Sequence, residues 1–303
     1  ILEQNAHVGL TNRILAPLAG RAYVAFDEAV EQIGHKARML GNPVRRAFVE
    51  AARVACADPD GFEARARRII VLGGSQGAQA LNEIVPAALA RLDLAPRGIG
   101  VLHQTGAAMR DEVEARYREL GVDAEVVTFV EDMAKAYSGA ALVIARAGAT
   151  TLAEVCAIGR PAILVPYPHA ADDHQARNAE ALAREGAAIS IRESVLSVER
   201  LAREAGRLLD EPAARQAMAD AARRHGRPDA AAAIVDDLFA WLGGPAVRRP
   251  GSVSSGSGGG PGARFASVDF SAGRGLTMRR LRDTQPPPPA YLKVLVPATA
   301  ISD

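Results

Sequence analysis

The sequence predicts an α/β protein whose main domain is a doubly wound, mostly parallel sheet with helices on both faces. Three observations support this prediction. Short apolar runs alternate with helical patterns over residues 68–191, the connections between them are short, and the runs are rich in Val, Ile and Leu. This alternation is typical of parallel sheets, and continuous apolar runs are typical of strands buried on both faces. Such a domain binds its ligand beyond the carboxyl ends of the strands.

Strands and helices alternate regularly through this region. The predicted strands are RRIIVLGG, GIGVLHQTG, AEVVTFV, ALVIARAG, PAILVPYPH and AAISI. The predicted helices are AQALNEIVPAALARL, AAMRDEVEARYREL, EDMAKAYSGA, TTLAEVCAIG and HQARNAEALAREG. Three more helical patterns follow Ser197, which is the predicted N-cap of the first of them, and the last pattern ends in glycines.

The segment before this domain is too short to bury a core alone. Residues 1–41 contain a helix candidate (LTNRILAPLAG), a strand (AYVAF) and a short extended run (ARMLGNPV). Pro43 biases Asn42 toward an extended conformation, which suggests a hinge at GNPVR. We therefore predict the remnant of an N-terminal domain at residues 1–41 and a ligand-binding domain at residues 42–243. Because Ile1 is not preceded by an initiator Met, we expect a fragment.

Composition changes after Gly243. Residues 244–303 contain GSVSSGSGGGPG and TQPPPPAY, which are poor in core-forming residues. Such Gly-, Pro- and Ser-rich sequence predicts a disordered tail.

Composition also argues against several classes of function. The net charge of +1 gives no bulk attraction to nucleic acid. The two cysteines, Cys56 and Cys156, are far apart and fit no metal-ligand spacing. No apolar run approaches the roughly 20 residues of a membrane span. The chain also lacks a Walker lysine.

The first candidate site is the loop in IIVLGGSQGAQALN. Gly73, Gly74 and Gly77 surround Ser75 between a strand and a helix, where exposed N–H groups attract phosphate. The spacing differs from G-x-G-x-x-G, and His103 stands near the position where a dinucleotide-binding fold needs an acidic residue. A nucleotide-dependent oxidoreductase is therefore disfavoured. The alternative to phosphate binding is a plain strand–helix turn.

A second candidate is RAGATTLAE. Gly148 and the backbone of residues 149–151 form another helix start that suits an anion. Glu154 follows about one turn later, where its carboxylate would repel phosphate but suits two sugar hydroxyls. The alternative is a first-turn glutamate stabilised by the helix dipole, worth about 0.3–1 kcal/mol. Taken alone, the pattern favours this alternative.

Two further segments carry candidate residues. In VPYPHAADDHQARNAEAL, the amide and imidazole groups of His174, Gln175 and Asn178 suit a hydroxyl-rich sugar. The same loop is dense enough in potential metal ligands to consider a metal, at His169, Asp172, Asp173 and His174. Their spacing is irregular, so we predict no metal site. In VTFVEDM, Phe129 and Val130 could form an apolar shelf for a planar base, although packing under a loop explains them better when they are taken alone.

Together, six segments resemble the MurG family, which belongs to glycosyltransferase family 28. They are LEQNAHVGLTNR, GNPVR, GGSQGA, FVEDM, RAGATTLAE and VPYPHAADDHQARNA, and they occur in the family's order over about residues 1–242. The resemblance implies the glycosyltransferase B (GT-B) fold, in which two doubly wound domains face each other across a cleft. It also implies inverting transfer of N-acetylglucosamine (GlcNAc) from UDP-GlcNAc to undecaprenyl-pyrophosphoryl-MurNAc-pentapeptide (lipid I) in peptidoglycan synthesis.

The resemblance further implies a role for each matching residue. Val130 would contact uracil through its backbone, Glu154 would hold the ribose hydroxyls, and Gln175, with His174 beside it, would face GlcNAc. Ser75 and residues 149–151 would hold the pyrophosphate, with no cofactor or essential metal. The full implied donor site is Asn5, Arg45, Ser75, Val130, Ala149, Thr150, Thr151, Leu152, Ala153, Glu154, His174 and Gln175.

The implied partners are UDP-GlcNAc, the lipid acceptor and other cell-wall synthesis proteins, without nucleic acid. The implied location is peripheral, on the cytoplasmic face of the bacterial plasma membrane. The family's N-terminal glycine-rich loop with its proposed catalytic His is missing from this sequence, so the catalytic residue is unknown and we expect donor binding with little or no turnover. Two alternatives stay open: a UDP-GlcNAc 2-epimerase-like enzyme and a non-catalytic nucleotide-sugar-binding remnant.

Overall fold

The structure is a computed structural model and describes residues 1–74 and 78–243. Its strands form a three-stranded sheet and a six-stranded sheet. The first sheet contains β1 (Leu2–Glu3), β2 (Ala22–Val24) and β3 (Ala37–Met39). The second contains β4 (Arg68–Leu72), β5 (Gly100–Gln104), β6 (Ala124–Val127), β7 (Ala140–Ala145), β8 (Ala162–Leu164) and β9 (Ile189–Ser190).

Helices connect and cover these strands. Those before the second sheet are α1 (Leu10–Leu15), α2 (Asp27–Ile33), α3 (Arg46–Ala57) and α4 (Pro59–Ala64). Those between its strands are α5 (Gln79–Leu89), α6 (Arg110–Glu119), α7 (Met133–Ser138), α8 (Ala149–Ile158) and α9 (His174–Arg184). The last helices of the described chain are α10 (Val198–Asp210), α11 (Pro212–His225) and α12 (Ala230–Trp241).

The larger sheet has the order β6-β5-β4-β7-β8-β9, and all neighbouring strands are parallel. The prediction of a doubly wound sheet is therefore confirmed, with each of the six predicted strands in place. The strand order reverses between β4 and β7, which is where such sheets bind ligands. Leu72 pairs with Ala145 at the carboxyl ends of these strands, so the loops that follow leave the sheet side by side.

Each face of the larger sheet is buried under helices. Ile69 and Val71 of β4 pack into one core with residues of α5, α6 and α10. Ile70 and Leu72 point to the opposite core, which contains residues of α3, α4, α7, α8, α9 and α11. Because side chains alternate along a strand, a strand that is apolar at every position requires cover on both sides.

The N-terminal part has its own small core. Val8, Val24 and Ala29 are buried together in it, and partly buried residues of α2 and β3 pack against them. Of its elements, α1, β2 and β3 match the predicted helix, strand and extended run, whereas β1 and α2 were not predicted. The segment between β3 and α3 contains residue 42, and the division into domains at that residue stays a prediction.

The two ends of the described chain meet through α12. Tyr23 of β2 donates a hydrogen bond of 3.0 Å to Asp237, and Arg21 lies 3.4 Å from the same carboxylate. The guanidinium of Arg21 also lies 5.6 Å from the ring centroid of Trp241. Burial and the nearby Asp237 raise the pKa of Tyr23 to about 12. The last helix thus packs against the three-stranded sheet.

Two local features stabilise the larger domain. The Oγ of Ser197 accepts a hydrogen bond of 3.2 Å from the N–H of Arg200, which confirms the predicted N-cap of α10. Arg160 is fully buried before β8 and donates to Glu63 at 3.0 Å and to the carbonyl of Tyr137 at 3.0 Å. Burial lowers the pKa of Arg160 to about 10, and the Glu63 carboxylate opposes this shift. Arg160 therefore joins α4 to the second sheet.

Some predictions fall outside the described residues. Ser75 lies in the gap at residues 75–77, and the predicted disordered tail lies at residues 244–303. Within the described chain, none of the helices has both the length and the apolar character needed to cross a membrane.

Candidate functional site

Gly73 and Gly74, which follow β4, and the first residues after β7 lie at the reversal point of the larger sheet. The N–H of Gly73 donates to the carbonyl of Gln104 at 3.3 Å, and the N–H of Arg146 donates to the carbonyl of Leu72 at 3.3 Å. Gly74 has a φ of 81°, a left-handed conformation that glycine adopts without strain. The first residue after each strand is therefore hydrogen-bonded to a neighbouring strand, at the edge where a ligand is expected.

The start of α8 leaves backbone donors available. Gly148 caps this helix with extended backbone (φ −67°, ψ 143°), and no side chain caps it. The first N–H groups of a helix have no partner within the helix, so those of residues 149–151 suit an anion. Ala149 and Thr151 are half-buried and Thr150 is exposed, whereas the side chain of Leu152 is buried. Leu152 could therefore face a ligand through its backbone but not through its side chain.

Glu154 lies on the same helix, deeper than the sequence suggested. It is the sixth residue of α8, and no acidic residue lies in the first turn. The first-turn dipole interpretation is therefore wrong, because the dipole effect fades beyond that turn. Burial raises the pKa of the Glu154 carboxyl, and the positive charge of Arg45 opposes this shift. Glu154 is thus a buried carboxylate in the second turn of α8, behind the N–H groups that suit an anion.

Arg45 supplies the counter-charge from the predicted hinge. It caps α3, and its Nη2 donates to Oε1 of Glu154 at 2.9 Å. Its guanidinium lies 5.1 Å from the ring centroid of Phe48, which is buried. The structure thus brings together Arg45 and Glu154, two of the residues predicted to form the site.

The start of α9 reaches the same loops. Oε1 of Gln175 accepts hydrogen bonds from the N–H groups of Ala147 at 3.2 Å and Tyr167 at 3.0 Å. The side-chain Nε2 donors of Gln175 thus remain the part of the amide that suits a ligand. Nδ1 of His174 lies 2.7 Å from the carbonyl oxygen of Ala171. A carbonyl only accepts, so in the neutral ring Nδ1 carries the proton and Nε2 is an acceptor.

Strained backbone precedes α9. Asp172 and Asp173 both have a φ of 53°, a left-handed conformation that non-glycine residues adopt at a cost on the order of 1 kcal/mol each. The carboxylate of Asp173 pairs with Arg192 at 3.1 Å, and that of Asp172 lies 3.9 Å from Arg13. Both pairs lie between half-exposed side chains beside the turn that precedes His174. Among the described residues, no group of three or more His, Cys, Asp or Glu side chains could hold a metal ion.

Asn5 reaches the same region from the N-terminal part. Its Oδ1 accepts a hydrogen bond of 3.0 Å from Nδ2 of Asn178, which lies on α9 one turn after Gln175. The predicted residues Asn5, Gln175 and His174 therefore lie around one helix end, next to the start of α8.

The two predicted base-binding residues, Phe129 and Val130, differ in burial. Val130 is buried and packs in the core, so its side chain offers no shelf and only its backbone could meet a base. Phe129 is 54% exposed. Val130 therefore fits the packing alternative, which the segment favoured when taken alone, and a shelf formed by both side chains is not present.

Two residues that sequence reasoning missed brace the site. Arg146, the first residue after β7, donates to the carbonyl of Val165 at 3.2 Å and lies 2.6 Å from Glu193. It fastens the loop after β7 to the loop after β8. Glu3 is buried and accepts hydrogen bonds from the N–H groups of Asn5 at 3.0 Å and Gly9 at 2.9 Å. The only sequence signal was the position of Arg146 at a strand end, and Glu3 gave none.

Comparison with known proteins identifies relatives of this chain. The family model described as "Glycosyltransferase family 28 C-terminal domain" matches residues 68–234. A protein of Sorangium cellulosum is 50% identical over 242 residues, covering 79% of this chain and 58% of the relative. It is named "UDP-N-acetylglucosamine--N-acetylmuramyl-(pentapeptide) pyrophosphoryl-undecaprenol N-acetylglucosamine transferase".

Two solved structures show the same fold. The crystal structure of Acinetobacter baumannii MurG has a TM-score of 0.64 and 34% identity, covering 80% of this chain and 66% of that one. A UDP-GlcNAc 2-epimerase from Neisseria meningitidis, solved with UDP-GlcNAc bound, has a TM-score of 0.52 and 13% identity, covering 75% and 63%. The likeness to MurG confirms the predicted GT-B type of fold. The chain spans less than two thirds of the length of each of these relatives.

Proposed function

The chain belongs to glycosyltransferase family 28, and from this membership we propose that it forms the UDP-GlcNAc-binding part of a peptidoglycan glycosyltransferase. The whole protein would transfer GlcNAc from UDP-GlcNAc to undecaprenyl-pyrophosphoryl-MurNAc-pentapeptide, as in the name of the Sorangium cellulosum relative. The observation that carries this proposal is the placement of Glu154 behind the uncapped start of α8. One helix then offers N–H donors to a pyrophosphate and a carboxylate to a ribose.

The spacing on α8 supports these two roles. Glu154 follows the first helical residue by five positions, or about 7.5 Å at the rise of an α-helix. This separation keeps the carboxylate away from a phosphate at the helix start. A carboxylate with one oxygen on Arg45 retains the other for ribose hydroxyls. The backbone of Val130 would take the uracil.

The sugar would lie at the start of α9. Nε2 of Gln175, Nε2 of His174 and the side chain of Asn5 offer both donors and acceptors, as hydroxyl and acetamido groups require. Ser75 would add a hydroxyl donor to the pyrophosphate from the loop after β4.

The chemistry follows from the charge that develops on the leaving group. When the acceptor hydroxyl attacks the anomeric carbon, the bond to the β-phosphate breaks and negative charge grows on UDP. The N–H groups of residues 149–151 are fixed by the helix and stabilise this charge without reorganising. Attack from the opposite face inverts the anomeric centre. No residue of this chain is assigned as the base that removes the acceptor proton.

The same proposal extends to partners and location. The whole protein would take its lipid acceptor at the cytoplasmic face of the bacterial plasma membrane, as a peripheral protein beside other cell-wall synthesis proteins. The epimerase alternative is supported only by fold, because the epimerase structure is 13% identical to this chain.

Isothermal titration calorimetry with UDP-GlcNAc tests the proposal, with ADP-glucose as the control nucleotide sugar. We expect saturable binding of UDP-GlcNAc at submillimolar concentration and much weaker binding of ADP-glucose. The absence of saturable heat at millimolar UDP-GlcNAc would contradict the proposal. Conversion of UDP-GlcNAc to UDP-N-acetylmannosamine, measured in parallel, would favour the epimerase instead.

A further inference from the structure

Asn178 is buried between two segments that are distant in sequence. Its Oδ1 accepts a hydrogen bond of 2.8 Å from the N–H of Ala6, and its Nδ2 donates to Oδ1 of Asn5 at 3.0 Å. The same Nδ2 lies 3.5 Å from the carbonyl oxygen of Ala147, in the loop after β7. One side-chain amide therefore links the N-terminal part to the loop that leads into α8.

Ala147 is held by α9 at both of its polar backbone groups. Its N–H donates to Oε1 of Gln175 at 3.2 Å, and its carbonyl accepts from Asn178. Gln175 and Asn178 are three residues apart and share one face of α9. Ala147 directly precedes Gly148, the N-cap of α8. These two side chains therefore set the direction in which the first N–H groups of α8 point.

The N-terminal end of this connection is itself fixed. Oε1 of Glu3 accepts hydrogen bonds from the backbone N–H of Asn5 at 3.0 Å and from its Nδ2 at 3.2 Å. The other oxygen of Glu3 accepts from the N–H of Gly9 at 2.9 Å. A hydrogen-bonded path thus runs from Glu3 through Asn5 and Asn178 to Ala147. Members of such a buried network depend on one another, because a buried polar group that loses its hydrogen-bond partner still pays the free energy of its desolvation. A change at one end of the path can therefore affect the other end.

We propose that Asn178 is a positioning residue that couples the N-terminal loop, residues 3–9, to the start of α8. Affinity for the donor then depends on the docking of that loop. This inference rests on the proposed function, because it takes the ligand at the start of α8 to be the pyrophosphate of UDP-GlcNAc.

The substitution Asn178→Asp breaks the donor side of the coupling and adds a negative charge at the same position. The carboxylate retains an acceptor for the N–H of Ala6, so that bond remains. It has no donor for Asn5 and Ala147, and it places an oxygen against their oxygens. The loop then loses its link to α8 while the size of the side chain is conserved. Tyr23→Phe is the matched control. It removes another hydrogen bond of the N-terminal part, the one from Tyr23 to Asp237 of α12. Neither of these two residues bonds to Asn178.

Hydrogen–deuterium exchange of the full chain, with and without UDP-GlcNAc, tests the proposal. In the wild type and in Tyr23→Phe, we expect the ligand to slow exchange at residues 149–151 and also at residues 6–9. In Asn178→Asp, protection at residues 6–9 should be lost, and calorimetric affinity should fall roughly 5- to 10-fold, as for one buried hydrogen bond. Ligand protection of residues 6–9 that survives in Asn178→Asp would overturn the proposal, as would an equal loss of affinity in Tyr23→Phe.

A second measurement keeps this test separate from the proposed function. If the wild type binds no UDP-GlcNAc, the proposed function fails, and the coupling is judged in the free chain. Asn5→Ala should then accelerate exchange at residues 147–151 in the wild-type background but not in Asn178→Asp. An equal effect in both backgrounds, or no effect in either, would overturn the role of Asn178.

Discussion

The Nη2 atom of Arg45 lies 2.9 Å from the Oε1 atom of Glu154 and joins the start of α3 to α8. The pair is asymmetric, because the side chain of Glu154 is 6% exposed and that of Arg45 is 58% exposed. Burial favours the neutral form of the carboxyl, and Arg45 favours the ionised form. Arg45 therefore helps to keep Glu154 charged while it occupies only one carboxylate oxygen.

Glu154→Gln should separate ligand binding from stability. The substitution removes the charged acceptor for the ribose, so we expect UDP affinity to fall by about 1–3 kcal/mol in calorimetry. It also removes a charge whose burial is unfavourable, so the thermal midpoint of the free chain should stay the same or rise. Glu50→Gln is the control, because its side chain is 56% exposed and pairs with Arg46 on α3. Equal affinities in the two variants would contradict the ribose role.

Binding of UDP-GlcNAc should weaken as the pH falls. The pKa of Glu154 is raised in the folded chain, and only the ionised form accepts two hydroxyl protons. Affinity should be constant above this pKa and fall by up to about tenfold per pH unit below it. UDP-GlcNAc is a pyrophosphate diester that does not titrate near neutral pH. The change of affinity with pH therefore comes from groups of the protein. Calorimetry across pH in the wild type and Glu154→Gln checks this, and an unchanged slope in the variant would assign it to another group.

The same pKa shift has the opposite consequence for the unliganded chain. A carboxyl whose pKa is raised on folding binds a proton more readily when folded than when unfolded. Its contribution to stability is therefore most favourable at low pH and declines as the pH rises from the unfolded pKa to the folded pKa. The difference in unfolding free energy between Glu154→Gln and the wild type should grow over this interval, which urea titrations at several pH values measure.

Arg160→Met should destabilise the chain strongly. The substitution leaves the carboxylate of Glu63 with Arg215 at 3.1 Å as its remaining partner, and it removes donors from buried carbonyls. We expect a loss of about 3–5 kcal/mol in the free energy of urea unfolding. Arg46→Ala is the control, since its side chain is 91% exposed, and it should change stability by less than about 0.5 kcal/mol. Similar losses in both variants would argue against a structural role for Arg160.

Gly20→Ala should disturb the packing of α12. A Cβ atom on Gly20 would collide with the ring of Trp241, so the ring must move toward solvent. Trp241 is the only tryptophan of the chain, so its fluorescence reports this contact. We expect a red shift of the emission and stronger quenching by acrylamide. Gly100→Ala, where a Cβ has open space, should leave the emission unchanged. Identical spectra for all three proteins would contradict the packing of Trp241 on Gly20.

The sheet was predictable because its signal is local. Each strand of the larger sheet is an apolar run bounded by turn residues, and the parallel arrangement follows from the helices between the strands. The helices α3 and α4 were not predicted. Alanines such as Ala52 and Ala55 supply much of the buried face of α3, so its apolar pattern is weak, and α4 has only six residues.

The features of the site that were predictable are those that lie within one segment of the sequence. The uncapped start of α8 and the polar start of α9 follow from local sequence. The partner of Glu154 does not, because Arg45 is 109 residues away and the pair forms only when α3 packs on α8. The same holds for Asn178 and Ala6, which are 172 residues apart. Ion pairs and buried amides at such separations leave no periodic pattern, so the depth of Glu154 and the role of Glu3 required the structure.

A crystal structure of the chain with UDP-GlcNAc tests the central claim most directly. We expect the ribose hydroxyls within hydrogen-bonding distance of the Glu154 carboxylate and the pyrophosphate against the N–H groups of residues 149–151. Nucleotide bound away from α8, or a ribose that does not contact Glu154, would contradict the account.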